Sequence, residues 1–111
     1  MKCGEQKKKK MNKVIRDGKV AVLYSPGYGA GFYTWSAPLE AIFDPELVDL
    51  IEQEKYSEAF KYVEKTYPDA YSGGVHDLEI AWLPEGAKFI IEEYDGAESI
   101  MVMDKMNWIT A

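Results

Sequence analysis

The sequence predicts a small α+β domain with two α-helices packed on one face of an antiparallel β-sheet. Apolar residues recur at helical spacing between positions 44 and 67, whereas short apolar or alternating segments typical of strands lie on both sides of that region. Two Asp-Gly dipeptides separate pairs of such segments and are typical of tight hairpin turns. Because strands precede and follow the helices without alternating with them, the sheet is expected to be antiparallel.

The predicted sheet begins with an N-terminal hairpin. Residues 13–19 form a short strand that enters a turn at Asp17-Gly18, since these two residues tolerate the positive φ angles of a type I′ turn. Residues 20–24 are almost continuously apolar, which is typical of a strand buried on both faces.

Two helices are predicted next, after residues 37–43, which give no clear pattern. Asp44 is a candidate N-cap, Pro45 suits the first helical position, and the apolar spacing then extends to about residue 54. A second helix is expected over residues 56–67, with Ser57 as its cap and Pro68 just beyond its end.

From residue 77 onwards the apolar residues recur with a period of two, and this alternation predicts a C-terminal β-meander. Its strands cover residues 77–83, 88–94 and 99–103, separated by a turn at residues 84–86 and by Asp95-Gly96. Residues 107–109 are expected to add a last edge strand.

Length and charge predict one domain with a basic tail. The 111 residues suffice for one core, so residues 14–111 are interpreted as a single domain and residues 1–13 as a disordered tail. The tail carries six lysines and one acid, a net charge of +5, whereas residues 14–111 carry seven cations and eighteen acids, a net charge of -11. The folded body is therefore not expected to bind duplex nucleic acid, while the tail either stays solvated or contacts an acidic surface.

Cysteine and histidine are too rare for a disulfide framework or a Cys/His zinc site, because Cys3 and His76 are the single residues of each type. The sequence has no apolar run long enough for a membrane span and no signal-peptide pattern at its start, so we expect a soluble, cytoplasmic protein.

The glycine-rich loop at residues 25–35 is the main candidate site. Glycine permits positive φ and a close approach of the backbone, so the loop amides could face a ligand. The spacing lacks the dinucleotide pattern G-x-G-x-x-G and the Gly-Lys-Ser/Thr of a P-loop. A phosphate cradle, an aromatic-lined pocket and a purely structural corner all remain open. The residues predicted to bind a ligand are Gly27, Tyr28, Gly29, Gly31, Tyr33, Trp35 and Lys88.

Aromatic residues crowd the end of this loop. Phe32 and Trp35 are expected either to fill the core, with the tyrosines at its rim, or to leave rings exposed as an interface or a pocket wall.

Two other groups of residues are candidates for a catalytic or a metal site. His76 beside Asp77 could act as an oriented base, but the sequence offers no nucleophile in a suitable motif. The carboxylates of the C-terminal strands could hold Mg²⁺ or Ca²⁺, but acids on the wet face of a sheet need no special cause. We therefore expect no enzyme activity, no cofactor and no metal. The carboxylates concerned are Asp77, Glu79, Glu92, Glu93, Asp95 and Glu98.

Several motifs together resemble a family of small uncharacterised bacteriophage and bacterial proteins. They are S-P-G-Y-G-A-G with T-W at residues 25–35, F-D-P-E at 43–46, W-L-P-E-G at 82–86 and E-Y-D-G-A-E-S at 93–99. The resemblance covers residues 14–111 and implies a phage-type accessory protein that acts by binding.

The leading hypothesis is a non-enzymatic protein that sequesters a small ligand, such as a nucleotide-derived host immune signal, in the glycine loop and its aromatic residues. The alternative is an acidic module that occupies a basic groove of a host protein, as a nucleic-acid mimic does. A hydrolase that uses His76 is a third hypothesis. Open sheet edges also make a homo-oligomer an option, and no membrane partner is expected.

Overall fold

The computed structural model describes residues 12–27 and 31–103 and confirms the α+β class. In chain order the strands are β1 (Ile15–Arg16), β2 (Lys19–Tyr24), β3 (Glu79–Pro84), β4 (Lys88–Tyr94) and β5 (Ala97–Met103). The helices are α1 (Pro45–Glu52) and α2 (Tyr56–Thr66), and two 3₁₀ helices cover Leu39–Phe43 and Ser72–Asp77. Residues 1–11 of the expected tail, the middle of the glycine loop and the edge strand expected at residues 107–109 lie outside the described residues.

The strands form two separate antiparallel sheets. The first has the order β1-β2-β3, with Val22 opposite Ala81 at its centre. The second is the β4–β5 hairpin, in which Ile90 lies opposite Met101. The expected meander is therefore divided: in the described part of the chain β3 pairs with β2, and β4 pairs with β5 instead of with β3.

Local sequence signals explain the turns and helix starts. Both Asp-Gly turns have positive φ, at 52° and 76° for Asp17 and Gly18 and at 54° and 86° for Asp95 and Gly96, which a type I′ turn requires. Asp44 caps α1, as predicted, by accepting the amide of Glu46 at 2.9 Å. For α2 the prediction was wrong, because the N-cap is Lys55 and Ser57 lies inside the helix.

The core lies between the three-stranded sheet and the helices. β2 is buried on both faces over Val20–Leu23, as its apolar run predicts. α1 packs against β2 and β3 through its apolar stripe, which includes Leu47, Val48 and Ile51, and α2 packs against α1. The β4–β5 hairpin docks on this core through Phe89, whose ring meets Phe43 edge-on at 6.3 Å. Among the described residues, no helix is long and apolar enough to cross a membrane.

The Asp44 carboxylate also joins the two helices, because it accepts the hydroxyl groups of Tyr62, at 2.6 Å, and Tyr67. Burial, followed by the hydrogen bond to Asp44, raises the pKa of Tyr62 to about 12, and the same causes raise the pKa of Tyr67.

The raised pKa values of Tyr62 and Tyr67 predict that the folded protein becomes less stable at alkaline pH. A phenol whose pKa is higher in the folded than in the unfolded chain stabilises the fold fully below its unfolded pKa of 10.0. The free energy of unfolding should therefore fall as the pH rises from about 10 to about 12. Denaturant unfolding from pH 8 to 12 tests this, and the double variant Tyr62→Phe/Tyr67→Phe should show a shallower decline; an equal slope would contradict the assignment.

Candidate functional site

The glycine loop is folded around the carboxylate of Glu98. This side chain is 2% exposed and lies on the inward face of β5. One of its oxygens, Oε1, accepts the amide of Ser25 at 2.9 Å. The other, Oε2, accepts the amides of Phe32 and Thr34, both at 2.8 Å, and the Thr34 hydroxyl at 2.7 Å. The main-chain donors of these three residues therefore serve an internal anion.

Glu93, directly opposite Glu98 in the β4–β5 hairpin, extends this arrangement. Its Oε2 accepts the Gly96 amide at 2.6 Å and the Trp35 indole N–H at 3.4 Å. Like charges on opposed residues repel each other, so the donors around both carboxylates must offset that repulsion. The segment 93–99 thus binds the segment 25–35, which brings together two of the motifs that carry the sequence resemblance.

The described loop glycines are required by close packing. A Cβ on Gly31 would lie 2.8 Å from Thr34 Oγ1 and from Trp35 Cδ1, and one on Gly27 would lie 2.5 Å from Asp77 Cγ. The described glycines with positive φ are instead Gly18, Gly86 and Gly96, which lie in turns. At Gly27 and Gly31 the loop therefore needs a small residue, whereas sequence reasoning also allowed for unusual backbone angles. Tyr28 and Gly29 lie outside the described residues.

The aromatic residues of the loop divide between the interior and the surface. Phe32 is fully buried, whereas Tyr33 and Trp35 are 37% and 42% exposed. The expectation that Trp35 fills the core is wrong, because its indole lies 5.1 Å from the ring of Tyr71, itself an exposed side chain. Exposed rings favour the alternative interpretation, in which this part of the loop belongs to an interface or a pocket wall.

Tyr33 lines an apolar groove of about 470 Å³, which we name the edge groove. Phe89, Ile90 and Ile91 are consecutive in β4 and point to alternate faces of the strand, yet all three line the groove. The groove therefore runs along the edge of β4. Its described lining consists of Lys13, Tyr33, Leu39, Ile42, Phe43, Phe89, Ile90 and Ile91.

A cation lies in the edge groove, and sequence reasoning missed it. Lys13 Nζ is 4.7 Å from the centroid of the Phe43 ring, a cation–π distance. Lys88, the lysine chosen from the sequence, lies on the outward face of β4, at the end of the strand far from Glu93. No local pattern distinguishes Lys13 from the lysines that precede it, so its position follows only from the tertiary fold.

A second cavity, of about 410 Å³, borders the start of the loop and is polar. It contains His76 and Asp77, which the sequence pairs as a possible base, together with Gly27, Tyr56 and Glu79. The imidazole of His76 stacks on Phe60 with centroids 5.4 Å apart. Within the described ranges, no three His, Cys, Asp or Glu side chains are placed to hold a metal ion.

Comparison of the chain with protein-family models, with curated proteins and with solved structures found no match. The resemblance to small phage-type proteins therefore stays a prediction. What the molecule itself offers for binding is the edge groove, the exposed loop rings and the polar cavity around His76.

Proposed function

We propose that this chain is a non-enzymatic binding protein and that it captures a small molecule in the edge groove. The observation that carries the proposal is the groove's lining, which is apolar or aromatic apart from the ammonium of Lys13. Its volume falls within the range of about 300–1,000 Å³ that is typical of small-ligand sites. A flat apolar molecule with one negatively charged group matches this surface.

A nucleotide offers two of these properties, a flat base and an anionic phosphate. Tyr33 would contribute a ring face and Lys13 the positive charge. In this proposal the amides of Phe32 and Thr34 play no part in phosphate binding, since they already donate to Glu98. Sequestration of a nucleotide-derived signal, which the phage-type resemblance suggests, is the biological role we attach to this site.

Calorimetric titration with linear and cyclic nucleotides tests the proposal. We expect Tyr33→Ala and Lys13→Gln each to weaken the binding about tenfold, because each removes one of the two kinds of contact. Matched controls are Trp35→Ala, an exposed ring outside the groove, and Lys19→Gln, an exposed lysine of β2, which should leave the affinity unchanged. No heat from any nucleotide, or equal losses from the controls, would end the proposal.

The acidic interaction module is the second candidate, and the charge of residues 14–111, with eighteen acids against seven cations, favours it. Such a module should retain a basic host protein at low salt and release it at high salt, because screening weakens the attraction. Retention of host proteins, measured at low and at high salt, tests this candidate. If no protein binds in a salt-sensitive way, the acidic interaction module is contradicted.

A further inference from the structure

The outward face of the β4–β5 hairpin carries uncovered apolar side chains. Ile90 and Met101 are direct partners in the hairpin, and their exposed fractions are 42% and 51%. Met103 lies on the same face and is 43% exposed. The opposite face holds Phe89 and Ile100, which pack on the core. A two-stranded sheet with one apolar face in water is marginal alone and gains from a second layer.

The charges on this face have a two-fold pattern. Lys88 and Glu92 are both exposed and lie two residues before and two residues after Ile90. A two-fold rotation about an axis that crosses the strands at the level of Ile90 therefore brings Lys88 of one copy to Glu92 of the other. The same rotation places Ile90 on Ile90 and Met101 on Met101. The face is thus complementary to itself in charge as well as in hydrophobicity.

We propose that a second copy of this chain packs on the β4–β5 outward face, face to face and with β4 antiparallel to β4 of its partner. A rotation about an axis parallel to the strands would instead set Lys88 against Met103, so the charges select the first arrangement. Pairing of two β4 edges would satisfy the charges but would leave Met101 and Met103 in water.

The extent of the face predicts weak association. Two strands of seven residues give a face of roughly 250 Å² per copy, against about 800 Å² per partner in a standard interface. We therefore expect a dimer that forms only at high protein concentration. Ile90 belongs both to this face and to the lining of the edge groove, so a second copy covers that part of the groove. Association is measured without nucleotide, so its outcome does not depend on the proposed ligand binding.

Sedimentation equilibrium from about 10 μM to about 1 mM in about 0.15 M salt tests the proposal. The wild-type chain should shift from monomer towards dimer over this range. Lys88→Glu and Glu92→Lys should each weaken the dimer about tenfold, because each turns both symmetric contacts into repulsion. The combined Lys88→Glu/Glu92→Lys variant should restore the wild-type constant to within about twofold.

A substitution of an exposed isoleucine elsewhere distinguishes association through this face from non-specific hydrophobic association. Ile90→Ser should weaken the dimer, whereas Ile15→Ser, which changes a similarly exposed isoleucine in β1, should not. A chain that stays monomeric throughout the range overturns the proposal. So does a double reversal that fails to restore association, since the charge pattern would then have no role in the contact.

Discussion

Replacing Glu98 by glutamine is expected to lower the free energy of unfolding by about 3–5 kcal/mol. The carboxylate oxygen Oε2 accepts three hydrogen bonds, from the Phe32 and Thr34 amides and the Thr34 hydroxyl. In glutamine the amide oxygen can replace Oε2, but the NH₂ group then faces the Ser25 amide and cannot accept its hydrogen bond, and the three remaining bonds lose the strength that the negative charge gives them. Buried donors left without an acceptor cost about 1–3 kcal/mol each, and part of that cost is relieved if the loop moves.

Chemical denaturation measures this loss, and Glu92→Gln is the matched control. The Glu92→Gln substitution makes the same chemical change on the exposed face of the same hairpin, so it should alter the free energy of unfolding by no more than about 0.5 kcal/mol. Hydrogen exchange should also become faster at the Phe32 and Thr34 amides of the Glu98 variant. Equal stabilities of the two variants would show that Glu98 does not organise the loop.

Asp44→Ala is expected to lower the free energy of unfolding by about 2–4 kcal/mol. The substitution removes the cap of α1, which alone contributes about 1 kcal/mol, and the acceptor of the hydroxyl groups of Tyr62 in α2 and of Tyr67 at the C-terminal end of α2. Asp44 is therefore both a local cap and the polar link between the helices.

Asp44→Asn separates these two roles. Asparagine caps helices about as well as aspartate, so this variant should lose less stability than the alanine variant, and its remaining loss measures the link to Tyr62 and Tyr67. Asp49→Ala, on the exposed side of α1, is the control and should change the stability by no more than about 0.5 kcal/mol. The account would be wrong if the Asp44 and Asp49 variants were equally stable.

Local signals in the sequence predicted the elements of this fold because those elements depend on near neighbours. Asp17-Gly18 and Asp95-Gly96 specify turns through their backbone preferences, and Asp44-Pro45 specifies a helix start through one side chain and one fixed φ. The pairing of the strands, in contrast, depends on residues that are distant in the sequence. A tight turn between β3 and β4 suggested that they pair, but the ladder on β2 and the docking of Phe89 decide the outcome, and neither is a local property.

The site was harder to predict for the same reason. The glycine loop was expected to present amides to an anion, and the described ones at Ser25, Phe32 and Thr34 do so. The anion is the protein's own Glu98, which lies more than sixty residues away in the chain. In the sequence it looks like the other acidic residues of the C-terminal strands, which are expected on the exposed face of the sheet. Its burial follows from the position of the start of β5 beside the residue that follows β2, where the Glu98 amide donates to the Ser25 carbonyl at 2.8 Å.

Because the amides of Ser25, Phe32 and Thr34 donate to Glu98, the surface that the loop offers to a ligand consists of its exposed side chains. The exposed ring of Tyr33 and the ammonium of Lys13 face the edge groove, whereas Trp35 is turned towards Glu93 and Tyr71. The loop thus supports the groove wall, while its described amides fix its shape. This division of roles is the central claim of the account.

Amide chemical-shift mapping by NMR during titration with linear and cyclic nucleotides tests that claim most directly. The account predicts that shifts concentrate at Tyr33, Phe43 and residues 89–91, with little change at Ser25 and Phe32. Shifts centred on Ser25 and Phe32, with the groove residues unmoved, would contradict it, because the ligand would then have displaced Glu98 from the loop.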